Sequence, residues 1–129
     1  MYKVDIWITA TPSKYWGRLE VTDRSNQVHQ KVIERERKAT RNSNILQAAI
    51  EAVRALNRPC LLDIHTDSDY LISPFRHNWI NAWKENGWKN AKNKEIRNVE
   101  QWQQLSGLMA THSARFLKTE GENHELHTK

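Results

Sequence analysis

Along the first ten residues hydrophobic and polar positions alternate: Val4, Ile6 and Ile8 are separated by Asp5, Trp7 and Thr9. This is the period-two pattern of a strand with one buried face. Two further extended runs, Tyr15 to Thr22 and Gln27 to Arg35, contain β-branched and aromatic residues on either side of Asp23-Arg24-Ser25-Asn26. That tetrapeptide has turn composition, so the runs are expected to form a hairpin beside the first strand. The period then changes. From Asn44 to Leu56 the apolar residues at 45, 46, 49, 50, 53 and 56 mark one face of a helix, with Ser43 as candidate N-cap and Pro59 just beyond the end. Cys60 to His65 is a short apolar run of strand type. A helix between two strands makes a crossover, so this strand is expected to pair parallel with the first, giving a β-β-β-α-β opening.

After Asp67 the pattern predicts a short helical piece interrupted at Pro74, then a helix from about Arg76 to Asn86 that ends at Gly87 in a left-handed cap. Asn98 and Gln101 have the spacing of a capping box, opening a helix that carries Val99, Trp102, Leu105, Leu108 and Met109. Ser113 to Lys118 reads as a last short strand, and Thr119 to Lys129 as a polar tail with too few apolar residues to pack a helix firmly. There is no repeat and no low-complexity block. A length of 129 residues suits one domain, taken as residues 1–118 followed by the tail 119–129.

The net charge of +5 favours a polyanionic partner such as nucleic acid over an acidic small molecule. Cys60 is the sole cysteine, which rules out an intramolecular disulfide or a cysteine-based zinc cluster and points to a reducing compartment. Its neighbours Leu61 and Leu62 make it a core thiol. No apolar run is long enough for a signal peptide or a membrane span, so a cytoplasmic protein is expected. Four glycines, at 17, 87, 107 and 121, form no phosphate-binding loop. His29, His65, His77 and His112 lack metal-ligand spacing, and the pair His124 and His127 in the tail is weak ground for a metal site.

Between Ile64 and Leu105 the chain carries His65-Thr66-Asp67-Ser68-Asp69-Tyr70, Trp79, Trp83, Gly87-Trp88 and Asn98-Val99-Glu100-Gln101-Trp102. In order and spacing this resembles a type 1 ribonuclease H. The resemblance covers roughly Tyr2 to His127 and is most specific from Asn57 to Leu105. It implies the ribonuclease H fold, an α/β architecture with a five-stranded mixed sheet (three antiparallel strands, then a parallel crossover) flanked by helices. It also implies clustered carboxylates that hold two divalent ions. Here the positions it assigns to those acids read Thr9, Ile45 and His124, and only Asp67, in Thr66-Asp67-Ser68, matches. One aspartate is a poor holder of two ions, because in-line phosphodiester hydrolysis needs both clamped. Asp67 is therefore the one catalytic and metal candidate, a weak ligand at best, with helix N-capping as its plain structural alternative. No tightly bound cofactor is expected, and Mg2+ or Mn2+ only with residual activity. If the site is rebuilt, Asp69, Glu120, Glu122 and Glu125 are the better replacements.

The resemblance also assigns binding positions. Lys38, Thr40 and Asn98 match residues with which the family holds a DNA-strand phosphate, and Asn42 matches one that reads the RNA minor groove. Trp79 and Trp83, four apart, match the lining of a channel for the DNA backbone, while Trp88 and Trp102 match structural anchors. The segment 81–98 has Lys84, Lys89, Lys92, Lys94 and Arg97 against Glu85 and Glu95, and resembles the basic handle with which some members grip hybrids. Three readings compete. The preferred one is a ribonuclease H-like pseudoenzyme that binds RNA–DNA hybrid or structured nucleic acid. The others are an active nuclease with a rearranged metal site, and a protein-interaction module on the same scaffold.

Overall fold

The computed structural model describes residues 1–120. Five strands and four helices follow in the order β1 (Tyr2–Thr11), β2 (Lys14–Thr22), β3 (Val28–Glu36), α1 (Arg41–Arg54), β4 (Cys60–Thr66), α2 (Asp69–Arg76), α3 (Trp79–Glu85), α4 (Val99–Met109) and β5 (Ser113–Lys118). They build one mixed sheet of strand order β3-β2-β1-β4-β5. β1–β2 and β2–β3 are antiparallel; β1–β4 and β4–β5 are parallel. This is the ribonuclease H-like architecture that the sequence led us to expect.

Alternation along β1 sets the two faces of the sheet. Val4, Ile6, Ile8 and Ala10 are buried, and α1 packs its own buried stripe of Ile45, Leu46, Ala49, Ile50 and Val53 against that side. Each such Ile or Leu taken fully out of water contributes about 1.5–3 kcal/mol, which makes α1 against β1 and β2 the energetic centre of the fold. The other face carries Trp7, stacked on His65 at 4.7 Å with Arg18 lying 4.3 Å over its ring. Beside this stack Asp63 is held by Arg115 Nε and Nη2, at 3.0 and 2.9 Å, and by Lys3 at 3.0 Å. The Arg115 bonds, opposed by burial and assisted by Lys3, pull the Asp63 carboxyl down to about 2. Cys60 is buried, as its setting predicted, and burial raises its thiol pKa. β3 forms one edge, with Ile33 its one buried residue.

Several boundaries differ from the sequence reading, each for a local reason. Helix α1 starts three residues earlier, because Thr40 and not Ser43 is the N-cap: the Thr40 hydroxyl accepts from the Ser43 N–H at 3.0 Å. Pro74 does not break its helix. Ser68 caps α2, Pro74 forfeits only one bond near its end, and the break to α3 comes at Asn78, whose φ of 62° is left-handed. Gly87 does adopt the left-handed conformation, at φ 66°. Asn98 makes no capping box, since its φ is 59° and its side chain makes no cap bond; Gln101 instead reaches across to α1. Asp67 caps nothing, the N-cap of α2 being Ser68.

Candidate nucleic-acid interface

The carboxyl ends of the parallel strands β1 and β4 lie side by side, Ile8 opposite Thr66, so Thr9 and Asp67 are neighbours at the sheet's end. Helix α1 delivers Ile45 to the same region, where it is wholly buried. Asp67 is committed elsewhere. Its Oδ1 accepts from Arg41 Nη2 at 2.7 Å, while Arg41 Nε donates to the Ala10 carbonyl at 2.9 Å. Asp69, a candidate for a rebuilt site, is paired with Lys118 at 2.8 Å, and Asp5 with His65 at 2.9 Å. Among the described residues no group of three or more His, Cys, Asp or Glu side chains converges.

Magnesium demands several oxygen donors in near-octahedral array and prefers carboxylates. Around this point the described residues supply one hydroxyl from Thr9, one carboxylate already bonded to a guanidinium, and a hydrocarbon side chain. They do not fit a two-ion site. His124, the remaining family position, and the candidates Glu122 and Glu125 lie outside the described residues.

The second region is built around Trp102, which is wholly buried. Its indole N–H donates to the Tyr70 hydroxyl at 3.0 Å, as does the Asn98 side-chain amide. Tyr70 in turn donates to the Arg97 carbonyl at 3.3 Å. Trp83 packs edge-on against Trp102 with centroids 5.5 Å apart, whereas Trp79 is 46% exposed. The two indoles of α3 thus divide, one toward the core and one toward solvent. Together with Tyr70, Ile96 and Arg97 they line a groove of about 660 Å³. All five cations of the basic segment, Lys84, Lys89, Lys92, Lys94 and Arg97, are exposed; Arg97 lines this groove together with Asp69 and Glu95, and Lys84 lines a separate cavity with Arg76 and Arg115. The segment is held in shape by a bridge between Lys89 and Glu95 and by the Asn90 side chain, which accepts from the Lys92 and Lys94 N–H groups.

Lys38, Thr40 and Asn42 stand at the start of α1 and Asn98 at the start of α4. The two starts are tied together: Ser43 Oγ donates to Gln101 Oε1 at 2.8 Å, and Gln101 Nε2 donates to the Ser43 carbonyl at 3.0 Å. Lys38 and Thr40 are exposed, Asn42 and Asn98 half-buried. The start of α1, with polar side chains and no acid in its first turn, suits an anion, whereas the start of α4 carries Glu100 in its first turn. Sequence reasoning passed over Arg41, which lies between Thr40 and Asn42. Its signal was positional: it stands four residues, one helical turn, before Ile45 and therefore on the same face.

The RNase H family model matches residues 9–126, and the chain belongs to the RNase H family. Ribonuclease H of Acetivibrio thermocellus is 41% identical over 88 residues, 68% of this chain and 60% of that protein. The Symbiobacterium thermophilum ribonuclease H is 42% identical over 82 residues, 64% of this chain and 56% of that one. The matched part therefore spans less than two thirds of these relatives' length. Among solved structures, LC9-RNase H1, described as a type 1 RNase H with the type 2 active-site motif, superposes with a TM-score of 0.80 at 18% identity, over 95% of this chain and 65% of its own. LC11-RNase H1 in complex with an RNA/DNA hybrid has a TM-score of 0.58 at 13% identity, over 95% of this chain and 90% of its own. Both agree in fold. Among the described residues no helix is long and apolar enough to cross a membrane.

Proposed function

We propose that this domain binds RNA–DNA hybrid in the manner of its family and has given up the two-ion hydrolytic site. The observation that carries the binding half is the row of five exposed cations along residues 84–97, which reaches the groove of Trp79 and Trp83 at Arg97. Such a row gives salt-dependent affinity through counterion release, and an exposed indole offers a flat face to a sugar or base. Thr40, Asn42 and Asn98, set on tied helix starts, supply donors for phosphate and 2′-hydroxyl oxygens. Loss of hydrolysis is supported by Thr9 and the buried Ile45 at the acid positions and by the commitment of Asp67 to Arg41.

A second reading, hydrolysis at a rebuilt site, is favoured by the relatives, since proteins about 40% identical over about two thirds of this chain are ribonucleases H. A labelled hybrid titrated in Mg2+ and in Mn2+, scored for both binding and cleavage, separates the two. Lys84→Glu with Lys89→Glu is expected to weaken binding more than tenfold and to lower the salt slope by about two, one for each lost phosphate contact. Cleavage by the wild type that Asp67→Asn abolishes would establish the second reading. No binding by the wild type would remove both and leave the scaffold to a protein partner.

A further inference from the structure

The strands β1 and β4 and the first turn of α1 converge on a guanidinium. Arg41 spans the gap from the Ala10 carbonyl on β1, at 2.9 Å, to the Asp67 carboxylate after β4, at 2.7 Å. The family resemblance brings those same three elements together around divalent ions. Arg41 stands one turn ahead of Ile45, and its side chain covers the end of the strands from which Ile45 has withdrawn any ligand. With Nε and one Nη2 hydrogen engaged, the other guanidinium N–H groups have no acceptor among the described residues, and the side chain is 39% exposed. An arginine cannot lose its proton at any ordinary pH and presents a fork that matches a phosphate.

From this convergence we infer that Arg41 is a resident cation in place of the divalent ion, holding a backbone phosphate of the bound nucleic acid, so that binding needs no metal. Asp67 serves as its counter-ion and aims it, leaving the remaining donors toward solvent. The charge that relatives are expected to recruit from solution is here encoded in the chain. The phosphate role rests on the proposed hybrid binding; displacement of the ion does not.

The test measures fluorescence anisotropy of a labelled hybrid at constant ionic strength, in Mg2+ and in EDTA. Wild-type affinity is expected to agree within about twofold between the two, since no ion takes part in the contact. Arg41→Gln is expected to bind about tenfold more weakly, the loss of one charge-assisted contact, with the salt slope reduced by about one. Arg41→Lys, which keeps the charge but not the fork, should fall between, and circular dichroism checks that both variants fold. A wild-type affinity that collapses in EDTA, or an Arg41→Gln variant that binds undiminished, overturns the inference. A second arm omits nucleic acid: Mn2+ is expected to leave the wild-type melting temperature unchanged, and a Mn2+-dependent rise abolished by Asp67→Asn would show that the ion still binds there. If the wild type binds no hybrid, the proposed function and the phosphate role fall together, while the Mn2+ arm alone decides whether Arg41 has displaced the ion.

Discussion

At the ends of β1 and β4 and on the facing helix α1, positions that the family resemblance assigns to acids hold Thr9 and Ile45, and the surviving Asp67 faces an arginine; α3 and the segment after it keep two indoles and five exposed cations. The two regions obey different arithmetic. A two-ion site requires several ligands to converge on one point, so losing any of them defeats the whole. A phosphate-gripping surface is close to a sum, in which each cation adds its share of released counterions and none is indispensable. Substitutions therefore abolish the first abruptly and erode the second by degrees.

The strongest way to break that contrast is Trp102→Ala. The indole is wholly buried, packs against Trp83, and bonds the Tyr70 hydroxyl that also receives Asn98. Its removal is expected to cost about 4 kcal/mol in urea denaturation and to loosen the grip of the whole second region. Unchanged hybrid affinity in the folded variant would show that the surface does not rest on this anchor. Ile45→Glu comes next. Returning an acid to a dry position is expected to destabilise by about 3 kcal/mol, since Asp67 already engages the nearest guanidinium. A loss below about 1 kcal/mol would mean that the position opens readily and that the first region is less closed than its packing indicates.

The smallest effect lies away from both regions and serves as a reference for them. Asp63 titrates near 2 in the folded chain, below its ordinary value of 3.8, chiefly because Arg115 bonds it. The unfolded state thus binds the proton first as pH falls, so this stabilisation is present above about pH 4 and is lost through pH 2. With Arg115 67% exposed, screening reduces the contribution to about 1 kcal/mol. Asp63→Asn should remove that much at pH 6 and almost nothing at pH 2, followed by denaturant midpoints. An equal loss at both values would assign the effect to packing.

The sheet was legible in the sequence because alternation and the period change at Asn44 report burial directly, and the crossover rule then gave the parallel pairing of β1 with β4. What escaped was the backbone at Asn78 and Asn98. Asparagine in a left-handed conformation breaks or begins a helix without differing in type from asparagine in a turn or a cap, so Pro74 was credited with a break made at Asn78. Arg41 escaped for another reason. The four-residue spacing put it on the face of Ile45, but how far its long side chain reaches, to β1 and to the residue after β4, is set by strands remote in sequence and is not encoded in that spacing. Thr9 and Ile45 could be read as departures from the family, but not the cation that had come to occupy the space.

One strand described above has a consequence for the protein in a crowded solution. β3 is an edge, and along its nine residues, Val28–Glu36, no strand among the described residues pairs with its outer side. A second molecule could extend the sheet there, which is how fibres grow. Lys31, Glu34, Arg35 and Glu36 stand on that strand, and Arg115 and Lys118 on β5 at the opposite edge. An added strand would set its side chains beside charges of both signs on β3 and beside two cations on β5, which counters the attraction of the exposed Val28 and Val32 and disfavours edge-to-edge aggregation.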